Sequence, residues 1–340
     1  MKAIYVTEPG KLEIKEISEP QLFKPDDVKI KVKAAGICGS DIHIYHGTSP
    51  VATYPRVIGH EIVGEIVEVG EQVEKFKVND RVVIDPIINC GQCFFCKKNR
   101  PNLCADLQVR GVHEDGGYRN FVVAPEKNIF KIPDFISYEE AVMIEPFTVA
   151  AQVNSRGQVE KDDIVFIMGA GPAGLCALKV AKNKGAMCIV SDIVDERLEN
   201  AKKLGADYII NPKKIDVKKS IDLFTNNVGA TVVIDAVGNV NSFEQAVEIA
   251  SIGGHIVVLG FTDKPSKIPQ LLITKNELNI SGSRLHCNKF PEVIEWFEKG
   301  EIKGNDFISH VYPFEKIKEA VHLIETQPMK VSKIVLTFQD

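Results

Sequence analysis

Residues 164–181 read IVFIMGAGPAGLCALKVA: five apolar residues, a glycine-rich turn, then a helical pattern. The run Gly169-Ala170-Gly171-Pro172-Ala173-Gly174 has the G-x-G-x-x-G spacing. Gly169 permits a tight turn, Gly171 lets the backbone approach a pyrophosphate, and Gly174 allows a helix to pack closely on the strand. The helix opening at Pro172 and Ala173 offers unpaired N–H groups and the positive end of its dipole to phosphates. Glycine-rich turns are common, so context decides. Here a second apolar strand, MCIVS, runs up to Asp192, eighteen residues after Gly174. A carboxylate there accepts from the ribose hydroxyls and repels a 2′-phosphate, which favours NAD over NADP. Arg197, five residues on, either reaches the same ribose or is a solvated charge on a helix face.

Outward from this turn, short apolar strands alternate with helical patterns. MCIVS is followed by DERLENAKKLG, then YII, a helical stretch near 215–227, TVVIDA, a helix near 241–251 and HIVVLG. Such alternation predicts an α/β fold with a doubly wound parallel sheet. Residues 1–150 have another texture: VKIKVKAAGI, EIVGEIVEVGE, DRVVIDP and NFVVAP are Val/Ile-rich strands punctuated by Pro and Gly. The expectation is a β-rich domain followed by a nucleotide-binding one, with a tail of helix, loop, helix and strand.

Bulk numbers narrow the function. With 46 acidic against 41 basic residues the net charge is −5, which argues against nucleic acid as a partner. The N-terminus, MKAIYVTEPGKLEIKEI, reads as strand, turn and strand rather than a basic-then-apolar signal, and the longest apolar run is broken by glycines and Pro172. The location expected is cytoplasmic, with no membrane partner. In such a reducing compartment clustered cysteines more often bind metal than form disulfides.

Four of the eight cysteines, Cys90, Cys93, Cys96 and Cys104, fall in INCGQCFFCKKNRPNLC. A ferredoxin-type iron–sulfur run continues with a three-residue gap and then Cys-Pro, whereas the last gap here is seven residues and no proline follows. Four thiolates suit a closed tetrahedral zinc, which has no open position and is structural. A second set lies upstream: Cys38 in GICGSDIH and His60-Glu61 in VIGHEIVGEIVEVG. Singly these read as a small buried residue and a core histidine. Their glycine framework instead puts two potential ligands in one constrained turn. Glu145, an acid in the apolar stretch MIEPFTVA, needs a cationic or metal partner if buried. Cys38, His60 and either Glu61 or Glu145 would leave a zinc position open for water or substrate.

Together GICGSDIH, GHE-x2-G-x5-G, the four-cysteine lobe, Glu145-Pro146 and GAGPAG resemble the zinc-dependent medium-chain dehydrogenase/reductase family of alcohol and polyol dehydrogenases, over essentially the whole chain. YPRVIGHE, GVHEDGGY, MIEPFTVAA and SRLHCNKFP are most similar to its L-gulonate and L-galactonate 5-dehydrogenases. The resemblance implies a GroES-like catalytic domain of residues 1–150 and 289–340, a Rossmann NAD-binding domain of residues 151–288, and an active site in the cleft. It implies two zincs per chain and a homodimer or homotetramer. By likeness, Cys90, Cys93, Cys96 and Cys104 hold the structural zinc, while Cys38 and His60 hold the catalytic one. The third ligand is Glu61 or Glu145, which stands where alcohol dehydrogenases have cysteine. Asp41 would orient the zinc histidine, and Ser40 and His43 match a proton relay through the cofactor ribose. Arg284 is a candidate cofactor contact. For a substrate carboxylate the candidates are Arg56, Arg110, Arg119 and Arg284, with His113 for hydroxyls. A polyol or L-threonine dehydrogenase shares these motifs, and a non-catalytic NAD-sensing zinc protein is the rival of another class.

Overall fold

The computed structural model describes residues 1–260 and 262–338. The chain forms two compact units, one of Met1–Pro146 with Phe290–Asp340 and one of Phe147–Lys289. The first is built on the eleven-residue strand Asp27–Ile37, where apolar residues alternate with lysines before a fully buried end. Glu61–Val69 runs antiparallel along one edge of it. The other edge is shared, Phe121–Pro125 pairing with its first half and Lys333–Thr337 with its second. Arg81–Ile84, Ile129–Lys131 and Ile308–Pro313 complete a seven-stranded sheet. Ile30, Ile62, Ile66, Ile84, Val122 and Leu336 are fully buried in its core. Burying each such side chain contributes about 1.5–3 kcal/mol. The C-terminal strand Lys333–Thr337 is therefore a structural neighbour of the strand that leads into Cys38.

The second unit is a six-stranded sheet in which every pairing is parallel. Its spatial order is Tyr208–Ile210, Met187–Ser191, Ile164–Met168, Ala230–Asp235, Ala250–Val258 and Asn279–Gly282. Numbered along the chain this is 3-2-1-4-5-6, the order of a Rossmann sheet, which brings the carboxyl ends of the first and fourth strands side by side at the reversal point. The strands are apolar runs because helices cover them. Helix Pro172–Asn183 begins with proline at a position that needs no N–H donor. Asp216 and Asn239 cap the later helices by accepting from Lys219 N at 3.0 Å and Ser242 N at 2.9 Å.

The α/β class and the parallel, doubly wound sheet are present as the sequence implies. Its sixth strand, Asn279–Gly282, is not in that expectation: it is short and its side chains are mostly exposed, so no apolar run marks it. Among the described residues no helix is long and apolar enough to cross a membrane.

A Cβ on Gly174 would sit 1.9 Å from the carbonyl oxygen of Gly169, so the helix can lie on the strand only without one. Gly174→Ala should therefore destabilise the protein by about 1–3 kcal/mol, the usual cost of overpacking. Urea denaturation measures it, and an unchanged midpoint would refute the close-packing assignment.

Candidate metal centres and cofactor cavity

The two central strands of the first unit bring the upstream ligands together. Gly36 pairs with Glu61 across the ladder, Cys38 follows the end of one strand, and His60 precedes the start of the other. Helix Gly39–Tyr45 then presents Asp41, which is fully buried. Its Oδ2 accepts from Cys38 N at 2.9 Å and its Oδ1 from Gly59 N at 3.1 Å, so one carboxylate ties both ligand turns. The Tyr118 hydroxyl lies 2.8 Å from Gly36 O and 3.1 Å from Asp41 Oδ2. Tyr118 has no place in the sequence reading, although its stretch GVHEDGGY does. The outcome is that ligand atoms of Cys38, His60 and Glu61 lie within 4.8 Å of one another.

Charge and orphaned atoms indicate what this trio holds. His60 Nδ1 is 3.6 Å from Asp41 Oδ1, an ion-pair separation too long for a hydrogen bond, and it has no bonded partner. Burial pushes the His60 imidazole down, but Asp41 and then Cys38 outweigh it and hold it well above its ordinary range. Asp41 is pushed up by burial, yet His60 and the N–H donor of Cys38 bring it below the usual carboxylate range. With Nδ1 facing Asp41, Nε2 is left for a metal. Glu61 Oε1 accepts from Lys333 Nζ at 2.5 Å, whereas its Oε2 is buried without a hydrogen bond. A Cβ on Gly36 would stand 1.8 Å from that Oε2, so only glycine leaves the carboxylate its berth. A cysteine sulfur, an imidazole and a carboxylate, the last with a buried oxygen unpaired, fit zinc with one position open. Lys333, only 3% exposed, escaped the sequence reading because it lies 272 residues from Glu61.

The four lobe cysteines also lie with their sulfurs within 4.8 Å of one another, and none of the eight cysteines is in a disulfide. Cys90 N and Cys93 N donate to Cys104 Sγ and Cys90 Sγ at 3.3 and 3.4 Å, and Asn89 Nδ2 to Cys96 Sγ at 3.4 Å. Backbone donors, first that of Ala105, bring the Cys93 thiol down to about 6. Cys104 is pushed up to about 11: the Cys90 N–H favours its thiolate, but burial and its contacts with Cys90 and Cys96 prevail. Sulfurs this close ionise together only around a cation, and four of them close a zinc shell.

Glu145 is buried in the first turn of helix Ile144–Arg156, and it is not one of the three clustered ligands. Ser40 is half-buried in helix Gly39–Tyr45, and exposed His43 places Nδ1 2.9 Å from Thr48 Oγ1. Arg56 is engaged locally, donating to Asp115 Oδ1 at 3.3 Å and Thr53 Oγ1 at 2.6 Å. His113 Nδ1 accepts from Val109 N at 3.1 Å, a bond that packs its own loop. Arg110 and Arg119 line a cavity to which none of the clustered ligands contributes. Arg284 is exposed beyond strand Asn279–Gly282.

In the second unit a cavity of about 580 Å³ lies over the carboxyl ends of the strands. Gly169, Gly171, Asp192 and Arg197 line it. Gly169 has φ +98°, and nothing lies within 4 Å of where a Gly171 Cβ would be, which leaves room for a pyrophosphate. Pro172 and Ala173 are exposed at the helix N-terminus, and Gly174 is buried behind them. Asp192 Oδ2 accepts from Ala170 N at 2.9 Å and Oδ1 from Val194 N at 3.0 Å, so the carboxylate also braces the glycine turn. Arg197 Nη1 is 3.9 Å from Asp192 Oδ2, beyond hydrogen-bond range. Sequence reading missed Asp235, which is fully buried and accepts from Val237 N, Gly238 N and Ser242 Oγ at 3.0, 3.1 and 2.9 Å. The end of TVVIDA held that signal.

Residues 24–134 match the model of the alcohol dehydrogenase GroES-like domain, and residues 172–299 that of the zinc-binding dehydrogenases. The starvation-sensing protein RspB of Escherichia coli is 44% identical, covering 100% of both chains. The sorbitol dehydrogenase of Bacillus subtilis is 36% identical (94% of this chain, 92% of that one). The L-galactonate-5-dehydrogenase of Escherichia coli is 33% identical, covering 92% of each. A crystal structure of an alcohol dehydrogenase (rspB) from Escherichia coli CFT073 with NADH superposes with a TM-score of 0.94, at 44% identity and 99% coverage of both chains.

Three experiments test the centres. Elemental analysis should find two zincs per chain, and one in a Cys38→Ser variant that still folds and binds NAD but no longer turns over. Cys93→Ser should lose stability or assembly, with turnover falling only in step. Lys333→Met strands Glu61 as a buried unpaired charge, which costs about 3–5 kcal/mol. Denaturation of zinc-free and zinc-loaded protein should show the larger loss without zinc, because the metal stands in for the missing cation. Equal losses would separate Glu61 from the metal.

Proposed function

The chain belongs to the zinc-dependent alcohol dehydrogenase family, and we propose that within it the substrate is a sugar acid, L-gulonate or L-galactonate, oxidised at C5 to the keto acid. It is an NAD-dependent oxidoreductase acting on a CH–OH group. The observation that carries the dehydrogenase reading is the trio Cys38, His60 and Glu61, whose ligand atoms lie within 4.8 Å of one another, with Glu61 Oε2 buried and unbonded. The stretches YPRVIGHE, GVHEDGGY, MIEPFTVAA and SRLHCNKFP, together with the L-galactonate relative, support the sugar acid. In this reading the enzyme is cytoplasmic and assembles as a homodimer or homotetramer.

Cys38, His60 and Glu61 would hold the zinc, which would polarise the substrate hydroxyl, and NAD⁺ would accept the hydride. The chain's residues do the rest. Asp41 keeps Cys38 and the Gly59–His60 turn in register, and Lys333 holds one oxygen of Glu61. As the C–H bond breaks and hydride leaves, the hydroxyl proton must depart to give the ketone. Ser40 Oγ would take it up while passing on its own hydroxyl proton, and the exposed His43 ring, at the end of that relay, would release one to water. Arg56, bonded to Asp115 and Thr53, and His113, bonded within its own loop, are candidate substrate contacts already engaged. Arg284 stays a candidate for the substrate carboxylate on the family resemblance alone.

A second reading, a neutral polyol, is favoured by the sorbitol dehydrogenase relative. Initial rates with NAD⁺ on L-gulonate, L-galactonate, sorbitol and L-threonine separate the two. The aldonates should exceed the others at least tenfold in kcat/KM, NADP⁺ should be the poorer acceptor, and Arg284→Gln should raise KM for the aldonates alone. Faster turnover of sorbitol or L-threonine would overturn the sugar-acid reading while leaving the dehydrogenase intact.

A further inference from the structure

The first unit has a cavity of about 520 Å³ lined by neither zinc cluster. Asp26 and Asp27, at the start of the strand Asp27–Ile37, line it, whereas Cys38 follows the other end of that strand. Two arginines face into it. Arg110 is only 7% exposed, and its Nε is buried without a hydrogen-bond partner. Arg119 Nε is in the same condition, and its one side-chain bond goes to the carbonyl oxygen of Asp115 at 3.4 Å. Among the described residues neither guanidinium forms an ion pair.

The surrounding acids do not answer these charges. Asp26, Asp27 and Glu114 line the cavity, but Lys24 and Lys127 line it too, so four cations face three acids. Asp27 Oδ2 is taken by the N–H groups of Phe23 and Lys24 at 3.1 and 2.9 Å. Burial first, and repulsion from Arg119 next, bring Arg110 down to about 10 despite the pull of Glu114 and Asp27. A buried charge with no bonded partner is costly to keep. Arg110 is such a charge, and half-buried Arg119 lines the same cavity; two planar groups with several donors each match the fork of an oxyanion.

We propose that Arg110 and Arg119 form a binding site for a small oxyanion, the carboxylate or phosphate of a soluble metabolite, separate from the dehydrogenation site and independent of its substrate. The site has a physical route to the metal. Its two arginines end the segment 110–119, whose interior supports the zinc histidine's turn: Gly116 N, Gly117 N and Tyr118 N donate to Val57 O, Gly59 O and Ile58 O at 2.6, 2.8 and 3.1 Å. An anion bridging Arg110 and Arg119 fastens both ends of that support.

Isothermal titration tests this on zinc-loaded, full-length protein saturated with NADH, so that the glycine turn cannot take the probe. Inorganic phosphate and succinate are titrated separately against chloride of matched ionic strength. One anion per chain is expected, the tighter probe reporting which oxyanion the site prefers, and Arg110→Gln and Arg119→Gln should each raise its Kd at least tenfold. No binding above the chloride control, or an unchanged Kd in both variants, would overturn the proposal. So would a wild-type protein that binds neither probe but loses a subunit contact on Arg110→Gln, since a second copy would then supply the carboxylate. Should both arginine variants fail to fold, Lys127→Gln at the exposed rim must still raise Kd severalfold for the site to stand.

Discussion

Asp41 is a carboxylate with no exposure, placed between two turns that have nothing else in common. Its oxygens accept from Cys38 N and Gly59 N, and the same group lies against Tyr118 and the His60 ring. A buried carboxylate is tolerable only when its lone pairs are filled, and filling them forces Cys38 and His60 to one place. The rest of the first unit conforms to that junction. Strand Asp27–Ile37 must stop at Ile37 so that Cys38 can turn, Glu61–Val69 must start one residue after His60, and the segment before Tyr118 must fold back beneath Gly59.

The two metal centres solve the same electrostatic problem differently. In the lobe, four sulfurs from one short loop would enclose a cation without help from the sheet, and N–H donors from neighbouring residues favour their ionisation. Such a site is local in sequence and legible from spacing. The trio is long-range. A thiolate and a carboxylate would balance a divalent ion there, while Asp41 and Lys333, one of each sign, cancel around it. Its surroundings come from segments far apart in the chain.

That difference explains what the sequence disclosed. The glycine turn, Asp192 and the strand–helix alternation are local patterns, and they sufficed for the parallel sheet. Cys38, His60 and Glu61 were legible because each lies in a glycine-framed motif. Lys333 was not, since a lysine in KVSKIVLTF looks like the exposed residue of an edge strand and becomes a buried partner only through antiparallel pairing with Ala34–Ile37. Asp235 went unread because it repeats the function of Asp192 without a glycine pattern to announce it. Arg110 and Arg119 were legible as cations but not as a pair facing away from the zinc ligands.

The same reasoning bears on which glutamate serves the metal. Glu61 has one oxygen fixed by Lys333 and the other buried and unbonded beside Gly36. A carboxylate in that state is half satisfied, and in an interior of low dielectric the unbonded oxygen is the costly half. A cation shared with Cys38 and His60 removes that cost without moving the backbone, because the three ligand atoms are already within 4.8 Å. Glu145, at the head of helix Ile144–Arg156, has interactions of its own and would have to give them up to compete. The balance favours Glu61 as the resting ligand, with Lys333 as the residue that limits how far it can leave.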